Sequence, residues 1–353
     1  MSKPKDRRRV TIKDIARHTG YSIATVSRVI NKKGVFYSNK TYKKIQEAKD
    51  RLGYYPNAIA RGLKTKKTSN IAFLEPWIGE FFSEVFLGTQ DAANQSDYST
   101  AIFSSNYNSE QEKKNIEVIL SNRFDGIIIC SAILDNDNLK TIIDHHLPTV
   151  IIEKFSSDGR IPYVCIKSRE ITKEAINHLI GLGHKRIGFI SQPVKIGKQE
   201  SRFKGYKDSL KENNIEFQEF RIFIMKKLEK ETFETSYTFI KKNFTKIMKC
   251  SAVFTTSDIM AISAIKVIKD MGLEVPDDLS VIGFDGLSIS NYIHPSLTTI
   301  VQPRYDMGFK AMRMLNSLID GKSVESLELK ATILHGDSTG KVKKSKSQVS
   351  QSL

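Results

Sequence analysis

The sequence predicts a small all-α helix-turn-helix head followed by an α/β body of two doubly wound parallel-sheet subdomains. Three observations carry this prediction. Residues 1–67 hold 19 Lys and Arg against four Asp and Glu, a charge of +15, whereas residues 68–339 sum to −3. The basic part reads as short amphipathic helices with apolar residues at i, i+3 and i+4. The remainder alternates short apolar runs with helical stretches, the rhythm of parallel strands joined by helices.

In the head, Thr11 stands at the N-cap of a first helix with Asp14 at the capping-box position. Ile12, Ile15 and Ala16 share one face, and Gly20 ends the helix. Ser22 caps a second helix, where Val26, Val29 and Ile30 repeat the spacing. A third begins near Ser38 and runs to Gly53, with Tyr42, Ile45, Ala48 and Leu52 as its inward stripe. Three short helices around one shared core make a helix-turn-helix head, placed at residues 1–56.

The outer face of the second helix carries Ile23, Ala24, Ser27, Arg28 and Asn31. A solvated helix face usually carries Glu and Lys. Acidic side chains would be repelled by phosphates, whereas short ones let a helix enter a major groove about 12 Å wide. Arg28 then reaches guanine O6 and N7, Ile23 and Ala24 touch thymine methyls, and Ser22 and Thr25 suit phosphates. Thr11, Asn57 and Ala60 complete the expected DNA-contacting set. A basic head on a nearly neutral body is the electrostatic footprint of polyanion binding.

Residues 57–67 read as a hinge helix and linker. Pro56 breaks the third helix, and Asn57 can cap a short one over 58–64. Seven residues including Gly62 are too few to hold a helix alone. Two readings stay open: a linker with helical tendency, or a segment that orders on DNA with Leu63 wedged into the minor groove.

In the body, "NIAFLEP" precedes a helix near 81–95 and "STAIFSS" one near 109–122. "GIIICSA", "PTVIIEKF", "KRIGFIS", "SAVFTTS" and "SVIGFD" continue the pattern. Some 270 residues exceed one such unit, so two subdomains are expected. Ligands of open parallel sheets sit beyond the carboxyl ends of the strands. Asp285 and Ser257 end two apolar runs, and Arg202 follows another. A carboxylate facing a guanidinium can hold adjacent sugar hydroxyls, and Trp77, Phe81 and Phe82 can stack on an apolar sugar face. Asp285 as a turn cap and Trp77 as core remain alternatives, and Asp258 reads mainly as a helix cap after Ser257.

These features also exclude functions. GxSxG, P-loop, HExxH and GxGxxG motifs are missing, and the seven His are scattered, with His184 expected to be structural. Cys130, Cys165 and Cys250 form no CxxC pair and fit a reducing cytosol. No metal or cofactor is expected. The charged N-terminus carries no signal-peptide core, and no apolar run reaches a membrane span, so a cytoplasmic protein is expected. Residues 339–353 are polar and basic and read as a disordered tail with no Leu heptads, which predicts a homodimer.

"VTIKDIARHTGYSIATVSRVINKKG", "LGYYPNAIARGLKT", "FDGIII", "LGHKRIGFI", "PDDLSVIGFDG" and "PSLTTIVQPRYDMG" together resemble the lactose/galactose-repressor family of bacterial transcription regulators over about residues 10–338. The resemblance implies that Ile23, Ala24 and Arg28 read bases and that Leu63 intercalates at the operator centre. It implies that Arg202 and Asp285 touch an effector and that Phe81 and Phe82 edge its pocket. The body at 68–338 is then similar to periplasmic sugar-binding proteins. Subdomain one spans about 69–167 and 303–327, and subdomain two about 168–302 and 328–338, closed by a last strand near 328–335.

The function so implied is repression of carbohydrate-utilisation genes by a dimer on a palindromic operator, controlled by a sugar or sugar phosphate. One branch of the family adds a phosphoprotein corepressor. A cytoplasmic sugar-binding protein or sugar-processing enzyme is the alternative. The chain departs from the family pattern at Trp77, Gly79, Glu80, Lys167, Ser168, Ser257, Gly286 and Gly336. Lys167 adds positive charge that would favour a phosphorylated or acidic sugar.

Overall fold

A computed structural model describes residues 10–31, 37–55, 67–130, 136–153, 161–193, 198–226 and 231–343. The expected hinge residues Asn57, Ala60 and Leu63 lie outside them. The chain divides into two compact units, residues 1–68 and 69–353.

The first unit holds α1 (Ile12–Thr19), α2 (Ile23–Ile30) and α3 (Asn39–Leu52). Ile15, Ala16, Val26, Val29, Ile45 and Ala48 form its buried cluster. The Thr11 amide and hydroxyl both donate to Asp14 Oδ2, at 2.9 and 2.7 Å. Gly20 turns the chain at φ +76°, and Gly53 ends α3 at φ +64°, conformations that favour glycine. Tyr42 departs from the expected inward stripe. It is exposed and stacks on Tyr37 at the edge of the bundle, because a phenol hydroxyl is more cheaply left in water than buried without a partner.

The second unit carries two sheets. In the first, β2 (Ser99–Ser104), β1 (Asn70–Glu75), β3 (Gly126–Ile129), β4 (Thr149–Ile152), β5 (Tyr163–Ile166) and β11 (Leu327–Leu329) lie in that order, all parallel. In the second the order is β7 (Ile222–Ile224), β6 (Ile187–Ser191), β8 (Ala252–Thr255), β9 (Ser280–Asp285), β10 (Thr298–Val301) and β12 (Thr332–Leu334). β12 pairs antiparallel with β10. The single last strand expected near 328–335 is therefore two strands, one in each sheet. Three residues of β11 suffice to extend one sheet before the chain passes to the other.

Strand side chains alternate between the two faces, so each sheet is covered twice. In the first sheet Ile71, Phe73, Ile128 and Val150 pack with α4 (Glu80–Asn94) and α11 (Arg304–Ile319). Ala72, Leu74, Ile127 and Ile129 pack with α5 (Ser109–Ser121) and α6 (Asn136–Asp144). In the second sheet Ile187, Phe189, Phe254 and Ile282 meet α7 (Ser168–Gly181) and α8 (Lys198–Glu212). Its other face meets α9 (Phe233–Ile247) and α10 (Asp258–Asp270).

The tail begins later than expected. Val342 donates its amide to Leu182 O at 3.0 Å, Gly340 O accepts from the buried His184 at 2.9 Å, and Lys343 pairs with Asp277 at 2.5 Å. Residues 339–343 are thus tied to the second sheet's subdomain by backbone hydrogen bonds that their polar composition does not reveal.

Helices α4 and α11 cross at two glycines. A Cβ on Gly308 would fall 1.8 Å from Val85 O, and one on Gly88 2.0 Å from Tyr305 O. Gly308→Ala is expected to push the helices apart and cost about 1–3 kcal/mol, read as a lower urea midpoint. An unchanged midpoint would show that the crossing tolerates a methyl group.

Candidate DNA-reading surface and ligand cleft

Helix α2 buries Val26 and Val29 and leaves Ile23, Ala24 and Arg28 exposed on the opposite side. Ser22 Oγ accepts from the Thr25 amide at 3.1 Å and lies 2.9 Å from the Thr25 hydroxyl. The Asn31 side-chain amide donates to Ser27 O and Oγ, at 2.8 and 3.2 Å. The outer face therefore presents one guanidinium among short side chains already organised by local hydrogen bonds. Lys44 lies over the Tyr21 ring at 5.6 Å, adding positive charge beside the turn between α1 and α2. The geometry suits insertion between phosphate walls, with Arg28 the longest reach from the face.

The cleft lies where the carboxyl ends of both sheets meet. In each sheet the strand order reverses direction at one point, between β1 and β3 and between β6 and β8, and ligands of such sheets bind there. Glu75 ends β1, and Gln192 follows β6. Neither stood among the sequence candidates. Each terminates an otherwise apolar run, the only signal that could have raised them.

Arg202, on α8, is the centre of the cleft. It is 1% exposed, and its guanidinium lies 3.5 Å from the centre of the Phe284 ring. Nη1 donates to Thr256 O at 2.6 Å, and Nη2 stands 3.8 Å from Glu153 Oε1, across from the other subdomain. Nε and Nη2 have no hydrogen-bond partner. Burial lowers its pKa, opposed by the carboxylates of Asp285, Glu153 and Glu231. An arginine stays charged through such a shift.

Asp285 closes β9 at φ +126° and accepts from Gln302 Nε2 at 2.8 Å. Glu153, after β4, also has a positive φ, +67°. Two non-glycine acids in this backbone region, both acting on Arg202, mark strain held at a site. Ser257 caps α10, accepting from the Met260 amide at 3.1 Å, and its hydroxyl donates to Glu231. Asp258 is not the cap. It is fully buried and ties three elements together, accepting from the Leu287 amide (2.7 Å), the Ser290 hydroxyl (2.8 Å) and the Thr299 hydroxyl.

The aromatic candidates separate. Trp77 is partly buried and hydrogen-bonds Tyr107, whose phenol is pushed upward first by burial and then by the charges of Glu231 and Glu153. Phe81 and Phe82 are 7% and 5% exposed and meet edge to face at 5.1 Å in the core cluster. Their rings pack within that cluster. Lys167 is largely exposed and stands 3.7 Å from Glu328. At Gly286, with φ +70°, a Cβ would come within 2.7 Å of Val301 Cα.

Contacts across the cleft rim join the two subdomains. The Ser288 amide donates to Glu80 Oε1 at 2.6 Å, and Arg304 binds Glu84 at 2.6 Å and Gly286 O at 3.0 Å. Among the described residues no group of His, Cys, Asp and Glu could hold a metal ion, and no helix is long and apolar enough to cross a membrane.

Glu75 supplies a pH test. Burial raises its carboxyl from 4.5 to about 7. The unfolded chain releases that proton first, so stability falls as pH rises through this window. Glu75→Gln is expected to stabilise the protein by about 2–3 kcal/mol near pH 8 and to leave it unchanged below about pH 4. Urea denaturation at the two pH values checks this; equal effects at both would place the Glu75 pKa near its ordinary value.

Comparison with known proteins agrees with this geometry. The bacterial regulatory protein lacI family model matches residues 11–57, and a periplasmic binding protein-like domain matches 176–339. Catabolite control protein A of Priestia megaterium is 34% identical over 323 residues, 90% of this chain and 95% of that protein. The ribose operon repressor of Halalkalibacterium halodurans is 30% identical over 321 residues, 90% and 92% of the two chains. The lac repressor dimer bound to operator and an anti-inducer shares the fold, with a TM-score of 0.82 at 24% identity over 94% of this chain and 100% of that one. The chain belongs to the lacI family of bacterial regulatory proteins and is a DNA-binding transcription regulator, not an enzyme.

Proposed function

We propose that this regulator represses carbohydrate-utilisation genes, binding a palindromic operator as a cytoplasmic homodimer and responding to a small sugar in the cleft around Arg202. The observation that carries the DNA part is the division of α2, with Val26 and Val29 buried and Ile23, Ala24 and Arg28 exposed on a unit of charge +15. The base-reading residues are Ile23, Ala24 and Arg28; Ser22, Thr25, Ser27, Asn31 and Thr11 hold the backbone, and Leu63 supplies the minor-groove wedge. The relation to a ribose operon repressor supports a carbohydrate regulon.

For the effector, Arg202, Asp285, Ser257, Gln192 and Gln302 supply donors and acceptors suited to hydroxyl groups. A ligand that meets them alters the packing of the two subdomains across the Glu80–Ser288 and Arg304–Gly286 contacts. Differential binding to two such arrangements shifts their populations, typically by about 1–3 kcal/mol.

Retention of genomic fragments on the purified protein tests this reading. Recovery of a short palindrome beside sugar-transport or sugar-metabolism genes is expected; random fragments that wash off with salt would overturn it. Arg28→Ala is expected to cost about 1–3 kcal/mol and relax preference at one base pair. Equal loss on all sequences would make Arg28 a phosphate contact only. Leu63→Ala should weaken operator binding more than non-specific binding, and a titration against unrelated DNA separates the two.

A further inference from the structure

The second sheet ends on one side at β7, which pairs with β6. Just after the strand, the Met225 amide donates to Ser191 O of β6 at 2.9 Å. In a parallel ladder successive residues turn their amides and carbonyls to opposite sides. Phe223 therefore faces β6 as Met225 does, and Ile224 presents its N–H and C=O to the outer edge. Ile222 adds its carbonyl there, while its N–H is taken by Glu219 O. An edge of this kind is a template for another extended chain.

The edge opens into a groove of about 1010 Å³ between β7 and α9. Phe220, Phe223, Met225 and Phe239 give the groove apolar walls, and Phe220 is 55% exposed. Helix α9 has two flanks. Tyr237 turns toward α10, where its hydroxyl donates to Asp270 at 2.9 Å, while Phe239, Lys242 and Lys246 line the groove.

The rim is basic. Lys226, Lys242, Lys246 and Lys249 line it against Glu219 and Glu234. All four lysines are exposed, and among the described residues none of their ammonium groups enters an ion pair. Residues 227–230, next in the chain after Lys226, hold two lysines and one glutamate, a composition of the same sign. Lysines placed on an edge strand ward off pairing. Here Lys242, Lys246 and Lys249 stand across the groove, on α9 or just after it, and the aromatic walls stay open. Such an arrangement attracts carboxylates to the edge.

We propose that this groove binds an extended acidic segment of a partner protein. The segment adds a strand to β7 through the Ile224 amide and carbonyl, sets apolar side chains against Phe223 and Phe239, and places carboxylates among the four lysines. Main-chain pairing supplies affinity for an extended chain, and the lysines select an acidic one. The surface belongs to the second subdomain and uses neither α2 nor the cleft around Arg202.

Fluorescence anisotropy of the full chain with a labelled peptide alternating glutamate and valine tests the proposal. The basic head would attract the same peptide, so duplex DNA is kept in excess to occupy it. One comparison peptide carries lysine for glutamate, and another carries methyl groups on the backbone amides of the glutamate peptide. The glutamate peptide is expected to bind at least about tenfold more tightly than either. Lys242→Glu combined with Lys246→Glu should weaken it by about tenfold or more while DNA binding by the head is unchanged. Lys226→Glu with Lys249→Glu serves the same purpose should the first pair fail to fold. Equal binding of the lysine peptide overturns the proposal on charge, and equal binding of the methylated peptide overturns it on strand addition. An affinity unchanged in both double variants overturns the location. Loss of glutamate-peptide binding in excess DNA would place that binding on the head and overturn the proposal.

Discussion

The body is organised around a buried guanidinium. Arg202 reaches from α8 beneath the carboxyl ends of the second sheet, rests on the Phe284 ring and faces Glu153 of the first. Asp285, Glu153, Glu231 and Asp258 all act on it, so its removal is expected to cost more than the loss of any one contact it makes. The surrounding polar groups can be read as responses to that charge. Thr256 offers a carbonyl, Glu153 and Asp285 adopt strained backbone to reach the same space, and Glu231 is fixed by the Ser257 hydroxyl. Unpartnered donors on Arg202 remain available for an arriving ligand.

The two subdomains meet around that centre. The first sheet is closed on one face by the α4–α11 crossing, whose glycines allow backbone contact and leave the pair rigid. The second is closed by Asp258, which clamps the segment after β9 and β10 onto α10. The two subdomains share one apolar cluster and are linked at the cleft rim by Glu80 to Ser288 and Arg304 to Gly286 O. Under the proposed function, a ligand in the cleft would act on these links.

Much of the architecture was legible in the residues. The i, i+3, i+4 spacing in α1 and α2 and the alternation of apolar runs with helical stretches have direct physical causes, so helices and strands fell close to where they were expected. The failures also have causes. Tyr42 fitted a periodic stripe but carries a hydroxyl, and it stays exposed. The short β11 and β12 have too few residues for periodicity to separate them. Glu75, Glu153, Gln192 and Glu231 were missed because strand ends far apart in the chain become neighbours only after two sheets form.

The sequence by itself determined the family, the helical head, the parallel-sheet body and the outer face of α2, because these depend on local spacing and on charge summed over a segment. It also placed Ser257 and Asp285 at the ends of apolar runs and Arg202 after another. Only the tertiary structure decided the electrostatic character of the cleft. Lys167 follows β5 and pairs with Glu328, while acids from four separate segments act on one guanidinium. Charge along a chain is additive, but the field inside a cleft depends on which groups are buried together, and that is settled by packing.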